Sequence, residues 1–242
     1  MGFIHQVDLS ILEAFNTLAR RSFAFDQFVA IVVENTLVKS GVLIGLLWYF
    51  WFSSARRDEN RPRVVRIILG ACIAIIVGRA SQTLLPGQLR PLHDPAVHFR
   101  VPYGVDADAL TGWSSFPSDH AVLFFAVATG VWAISQRFGI LAFMWVSAVI
   151  GAARVYAGFH YPFDILGGAV LGFGIMSVVL RESTITPRIV DRVLAMESRR
   201  PALFYSAAFV LSWQAAQLFE ESRHLVMTLW RIARYIMFGI RF

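Results

Sequence analysis

Of the chain's 242 residues, 57% are hydrophobic and only 16% are charged, with a formal net charge of +6 and a positive mean hydropathy. That balance excludes an ordinary water-soluble domain and places the chain among integral membrane proteins. Cys72 is the only cysteine, so no disulfide can contribute to the fold, and no basic stripe with interleaved aromatics marks a nucleic-acid footprint.

In chain order, Ile4, Val7, Leu9, Ile11, Leu12 and Phe15 form a helical stripe that Asp8 and Glu13 interrupt. The stretch lacks the basic start and apolar core of a cleaved signal, and it predicts a retained interfacial helix over 1–24. A helix needs roughly 17 to 25 mostly apolar residues to cross a bilayer. Such runs predict spans near 34–53, 65–85, 118–136, 139–157, 163–180 and, with the weakest pattern, 202–219. Lys39, the only lysine, falls near the outer end of the first of these with Glu34 and Asn35, where an ion pair is expected. Cys72 inside the second span reads as a small buried apolar residue. Gly167, Gly168, Gly172 and Gly174 in the fifth point to close helix packing. The tail 220–242 mixes Arg223, Arg231, Arg234 and Arg241 with large apolar residues and predicts a second surface helix.

The fold expected is therefore all-α, a polytopic membrane bundle of about five to six transmembrane helices with amphipathic helices at both termini. It forms a single domain over 1–242, without repeat or linker. Arg56, Arg57, Arg61, Arg63 and Arg66 precede the second span, and Arg181, Arg188, Arg192, Arg199 and Arg200 follow the fifth. Positive-inside bias places both segments in the cytoplasm. The stretch 86–117 and the turn at 158–162 then face the periplasm or outside of the cytoplasmic membrane.

Three clusters sit at those outward ends: Leu89-Arg90-Pro91, Phe116-Pro117-Ser118-Asp119-His120, and Arg154 followed by His160 and Asp164. Pro117 suits the first turn of a helix that Ser114 or Ser115 could cap. The free backbone donors at that helix end, with the Ser118 hydroxyl, make an anion cradle, and His120 one turn in can give a proton to a leaving oxygen. Gly158 permits a turn, so His160 lies at the membrane surface with Asp164 behind it. A carboxylate bonded to one imidazole nitrogen leaves the other a better nucleophile. The competing reading joins Arg154 and Asp164 in a structural ion pair between helix ends. Arg90 adds a planar fork suited to phosphate oxygens, or simply an interfacial anchor. His93, Asp94 and His98 lack the spacing of a metal site, and no metal ligand or cofactor is expected. Trp113 and Tyr103 could gate a lipid or belong to the aromatic belt.

In order and spacing the clusters resemble those of the type 2 phosphatidic acid phosphatase superfamily, whose pattern is Lys-x6-Arg-Pro, Pro-Ser-Gly-His and Ser-Arg-x5-His-x3-Asp. The resemblance covers about 79–172. It implies a metal-independent membrane lipid phosphatase in which His160 is the nucleophile that becomes phosphohistidine, Asp164 its partner and His120 the general acid. Arg90, Arg154 and Ser118 would hold the phosphate. Three positions depart from the pattern: Thr83 replaces the Lys, Asp119 the Gly and Ala153 the Ser. Phe-Pro-Ser-Asp-His and Arg-Val-Tyr-x-Gly-x-His-Tyr-Pro-x-Asp resemble the bacterial branch acting on undecaprenyl pyrophosphate. Arg79, one helical turn before Thr83, could supply the missing cation or anchor the helix at the interface. The resemblance implies a lipid phosphate or pyrophosphate as substrate, the membrane as setting and no nucleic acid. Phosphatidic acid, phosphatidylglycerol phosphate and phosphorylated lipid A stay open as substrates. A non-catalytic lipid-phosphate binder or transporter also stays open, although a binder has no use for a nucleophile.

Overall fold

Apolar runs bounded by Ser, Pro and Gly become helices in the computed structural model, which describes residues 3–217. The surface helix expected over 220–242 lies outside them. The helices are α1 (Phe3–Asn16), α2 (Phe23–Glu34), α3 (Val42–Phe52), α4 (Arg57–Leu84), α5 (Asp119–Ile134), α6 (Gln136–Val146), α7 (Ala153–Tyr156), α8 (Pro162–Arg181), α9 (Ile185–Arg199) and α10 (Pro201–Ala216). No strand occurs among the described residues. The chain divides into two compact units, 1–194 and 195–242, and every site residue lies in the first. In the second, Pro201 opens α10, and the Tyr205 hydroxyl donates to Glu197 at 2.8 Å. The 16 residues of α10 cover most of the expected 202–219 span but reach only about 24 Å, short of the ~30 Å hydrocarbon core.

α4, the continuous Gln136–Tyr156 rod that contains α6 and α7, and α8 are each long and apolar enough to cross a membrane. α2 and the following Leu37–Phe52 helix qualify together, bent by 63° at a short break. The apolar stretch around the first span thus reaches back to Phe23, as a broken span or a re-entrant loop. The predicted boundary missed α2 because Asp26 and Gln27 interrupt its apolar run. Asp26 is fully buried, where it accepts bonds from the Arg20 and Tyr103 amides and the Tyr156 hydroxyl. Lys39 consequently sits within the span, in a π-helical turn at Leu37–Gly41, and not near its outer end. A second π turn at Ser147–Ala152 packs against the first, and the Trp145 indole donates to the Val38 carbonyl at 3.1 Å. Paired π turns of this kind are uncommon and often accompany functional sites.

α5 is apolar on all sides and is the central helix, packed on α4, α6 and α8. Its approach to α8 is set by glycine. A Cβ at Gly172 would stand 2.2 Å from the Val122 carbonyl oxygen, and one at Gly168 2.7 Å from Ala121 Cβ. Backbone replaces side chain at these crossings, as the sequence pattern led us to expect. Gly167 instead makes room for the Phe116 ring, and Gly174 faces open space. Cys72 is exposed on α4, contrary to the expected burial. A thiol is small and apolar enough to face either lipid or protein.

The arginines that precede the second span and follow the fifth lie at one end of the bundle. Several of them begin α4, since the expected loop is already helical from Arg57. Arg61 lies 4.9 Å over the Trp51 ring, and Arg66 donates to the last-turn carbonyl of Leu180 at 3.1 Å. The segment after α8 also folds, as the amphipathic helix α9. At the other end α1 does more than lie on a surface. Asp8 is buried and accepts a 2.8 Å bond from the Phe163 amide at the start of α8, while burial pushes its carboxyl pKa up.

Candidate active site

Four segments converge at the end of the bundle opposite the arginines: the last turns of α4, the loop 86–118, the first turn of α5 and the turn from α7 into α8. Gly158 takes φ +76° there, and a Cβ would strike the Phe99 ring at 2.5 Å, so the turn requires glycine. Pro162 then starts α8 and Asp164 occupies its third position. Its carboxylate accepts the Tyr161 amide at 2.7 Å, which satisfies a donor otherwise left over at the helix start.

The same carboxylate oxygen faces His160. Both residues are buried, at 0% and 1% exposure, and Nδ1 stands 3.6 Å from Oδ2. That distance is longer than the direct hydrogen bond expected. The Nδ1 proton instead donates to the Ser115 carbonyl at 3.0 Å, while the Ser115 hydroxyl donates to Asp164 Oδ2. Ser115 therefore links imidazole and carboxylate, a position that sequence reading considered only for a helix cap. No motif spacing could reveal it, because the link runs through a backbone carbonyl. With Nδ1 protonated, the Nε2 lone pair is free to accept, and Arg90 Nη1 lies 3.3 Å from it. Burial, reinforced by the Arg154 and Arg90 charges, pushes the His160 pKa down to about 4. The ring is neutral at physiological pH.

Arg90 carries fewer free donors than a phosphate clamp would use. Nε donates to Trp113 O at 3.2 Å, Nη1 to Phe159 O at 2.7 Å and Nη2 to Ser114 O at 3.0 Å. It fastens the 86–118 loop to the His160 turn, and burial pulls its pKa below the usual guanidinium range. Arg154 is the opposite case. It is 4% exposed, its Nε has no hydrogen-bond partner among the described residues, and its guanidinium carbon lies 5.3 Å over the Phe159 ring. The ion pair with Asp164 that competed with a functional reading does not form among the described contacts. A buried guanidinium with an unbonded donor is costly unless an anion arrives to meet it.

Ser118 is itself the N-cap of α5, accepting from the Ala121 amide at 3.3 Å. Neither Ser114 nor Ser115 caps the helix, and Pro117 precedes the cap instead of entering the first turn. Ser118 N is spent on the Asp164 carbonyl at 3.1 Å, which ties the second cluster to the third. His120 Nδ1 lies 2.9 Å from Asp119 Oδ1, and Asp119 Oδ2 lies 3.1 Å from Arg79 Nη2. The Arg79 guanidinium also sits 5.6 Å over the Trp113 ring. Thr83, where the resemblance expects Lys, turns its hydroxyl back to the Ala80 carbonyl at 2.9 Å.

Arg154 is within electrostatic reach of both imidazoles and of Arg79, Arg90 and Asp119; Lys39 is within reach of His120. All seven residues singled out from the sequence thus gather at one end of the bundle. Arginines 79, 90 and 154 are set against the Asp119 and Asp164 carboxylates, an excess of positive charge suited to a phosphate group. Among the described residues no three His, Cys, Asp or Glu side chains are grouped to hold a metal ion. Behind Asp164, a groove of about 1070 Å³ opens between α4 and α8, lined by Leu85, Phe116, Leu166 and Val170.

Removal of the Ser115 hydroxyl leaves Asp164 with one fewer bond and His160 with a less defined ring. Ser115→Ala is expected to lower turnover by about 10- to 100-fold with little change in KM, as loss of a group that orients a reacting imidazole does. Steady-state kinetics check this, and an equal fall in substrate affinity would count against it.

The family model described as PAP2 superfamily matches residues 68–184, a range that contains all three clusters. The chain is 29% identical over 129 residues to the bacitracin transport permease protein BcrC of Bacillus licheniformis, covering 53% of this chain and 58% of that protein. The match thus spans little more than half of that relative's length. It is 25% identical to the undecaprenyl-diphosphatase BcrC of Bacillus subtilis, over 78% of this chain and 90% of the relative. Among solved structures, the crystal structure of Aquifex aeolicus LpxE covers 72% of this chain and 94% of that one, with 24% identity and a TM-score of 0.49. All three clusters thus lie inside the segment of the chain, just under half of it, that is similar to the PAP2 superfamily.

Proposed function

We propose that the protein is a membrane lipid phosphatase that removes the terminal phosphate of a lipid pyrophosphate, with undecaprenyl pyrophosphate as the favoured substrate. The observation that carries this reading is a neutral, buried His160 whose Nδ1 proton is fixed on the Ser115 carbonyl, leaving Nε2 as a nucleophile in the same cluster as Arg154, whose Nε has no hydrogen-bond partner among the described residues. The undecaprenyl-diphosphatase name of the Bacillus subtilis relative supports the choice of lipid. The positive-inside rule supports a site on the outer face of the cytoplasmic membrane, since the arginine-rich helix ends lie opposite the site. The groove beside α8 offers apolar surface at the depth of the spans.

In this mechanism Arg154, the Ser118 hydroxyl and the remaining donors of Arg90 hold the terminal phosphate. His160 Nε2 attacks phosphorus, so an N–P bond forms as the bridging P–O bond breaks. The electron pair goes to the leaving lipid phosphate, which takes a proton from His120 Nε2. In the second half His120 takes a proton from water as its oxygen bonds to phosphorus. The N–P bond then breaks with its pair returning to Nε2, and inorganic phosphate leaves.

The test is phosphate release by purified protein in detergent with a chelator present, with undecaprenyl pyrophosphate and phosphatidic acid offered separately. Release that persists with chelator and is faster from the pyrophosphate is expected. Faster release from phosphatidic acid would move the substrate to the lipid monophosphates. Binding of either lipid without release would favour the transport reading suggested by the Bacillus licheniformis relative's name.

A further inference from the structure

One of the three departures from the family pattern is brought by the structure into contact with an arginine near another. Asp119 stands where the pattern has Gly, and Arg79 lies one turn before the lost Lys. Asp119 is 7% exposed, and its two oxygens are divided between two tasks. Oδ1 accepts the His120 amide at 2.8 Å and faces the His120 ring Nδ1 at 2.9 Å, while Oδ2 takes Arg79 Nη2 at 3.1 Å.

The backbones allow this because α4 and α5 meet at Gly78, where a Cβ would lie 3.4 Å from the Asp119 Cα. Arg79, the next residue, is thereby aimed at the carboxylate, and Trp113 covers its guanidinium from the loop side. Trp113 is itself held through its carbonyl by Arg90.

We propose that Asp119 is a positioning residue for His120, held in place by Arg79. This assembly fixes the Nδ1 proton so that Nε2 alone addresses the leaving oxygen and, later, the attacking water. A glycine at this position can do none of this. The cation of Arg79 then serves the carboxylate before it serves the phosphate, and a shift of Arg79 into the phosphate shell would leave Asp119 buried without its counter-charge. The arrangement resembles the Ser115–Asp164 support of His160 on the other side of the cluster, so each imidazole has its own carboxylate. The inference rests on the phosphatase reading above.

Kinetics of Asp119→Asn and Arg79→Gln, with vanadate as a phosphate analogue, separate positioning from binding. A general acid contributes roughly 10²- to 10⁴-fold, and loss of its orientation is expected to forfeit part of that. For Asp119→Asn we expect kcat to fall about 10- to 100-fold, with KM and the vanadate inhibition constant within about twofold of wild type. Arg79→Gln should show the same split with a smaller fall. A kcat within twofold of wild type in Asp119→Asn would overturn the proposal. So would a parallel loss of kcat and vanadate affinity, or a large loss of vanadate affinity in Arg79→Gln alone, which would make Arg79 a phosphate ligand. Should Asp119→Asn fail to fold, Arg79→Gln reads the same contact from the other side. Absence of phosphate release by the wild-type protein would count against the phosphatase reading, whereas the results above bear on Asp119.

Discussion

His160→Ala is expected to reduce phosphate release from the lipid pyrophosphate by roughly 10⁴-fold or more, because it removes the atom to which the proposed mechanism transfers phosphorus. Rapid acid-free quenching of wild type with ³²P-labelled substrate should trap label on protein that is stable to alkali and lost in acid, as expected of a phosphoramidate. His160→Ala should trap none. Label on another residue, or turnover within tenfold of wild type, would remove His160 from the nucleophilic role. The pH dependence of stability gives a separate check on its neutral state. The unfolded imidazole takes up a proton near pH 6.5, and the buried ring does so only near pH 4. Between those values the unfolded chain holds more protons, so stability rises with pH and is lost as pH falls from about 6.5 towards 4. Melting temperatures of wild type should therefore drop over that window relative to His160→Gln, which has no proton to gain. Parallel curves for the two proteins would mean that His160 is not held neutral.

Arg154→Met should have effects of opposite sign on activity and on stability. Its guanidinium is buried, with an unbonded Nε, and replacing a buried cation that has an unsatisfied donor by an apolar chain of similar length is expected to stabilise the fold by about 1–3 kcal/mol. The same change should lower kcat/KM by roughly 10²- to 10³-fold, since a charge-assisted contact to phosphate is lost in a water-poor site. Vanadate should raise the melting temperature of wild type by mass action and leave that of Arg154→Met unmoved. A destabilised variant that still responds to vanadate would show Arg154 to be structural. Lys39→Met provides the contrast. It removes a cation within reach of His120 but leaves the Arg154 pocket intact.

Much of the architecture was legible in the sequence because hydrocarbon imposes a simple rule. A backbone in lipid must bond to itself, so each long apolar run has to be a helix of membrane length. The boundaries 118–136, 139–157 and 163–180 consequently fall within about three residues of the observed helices. The rule failed where polar residues sit inside a helix for reasons of tertiary contact. Asp26 hides in α2 against Tyr156 and Tyr103, Lys39 rides a π turn in mid-span, and the arginines of 57–66 are helical because Trp51 and Leu180 accept them.

The members of the site were likewise set by residue type and spacing. Histidines, arginines and a carboxylate at helix ends in a membrane have few uses beyond binding and moving an anion, and the turn at Gly158 and the start at Pro162 follow from backbone chemistry alone. Which group supports which was decided only by packing. The close crossing of α5 on α8 at Gly168 and Gly172 brings Ser115 between His160 and Asp164, and that of α4 on α5 at Gly78 turns Arg79 towards Asp119. Hydrogen-bond partners depend on ångström-scale distances between segments far apart in the chain, and residue spacing along a helix does not encode them.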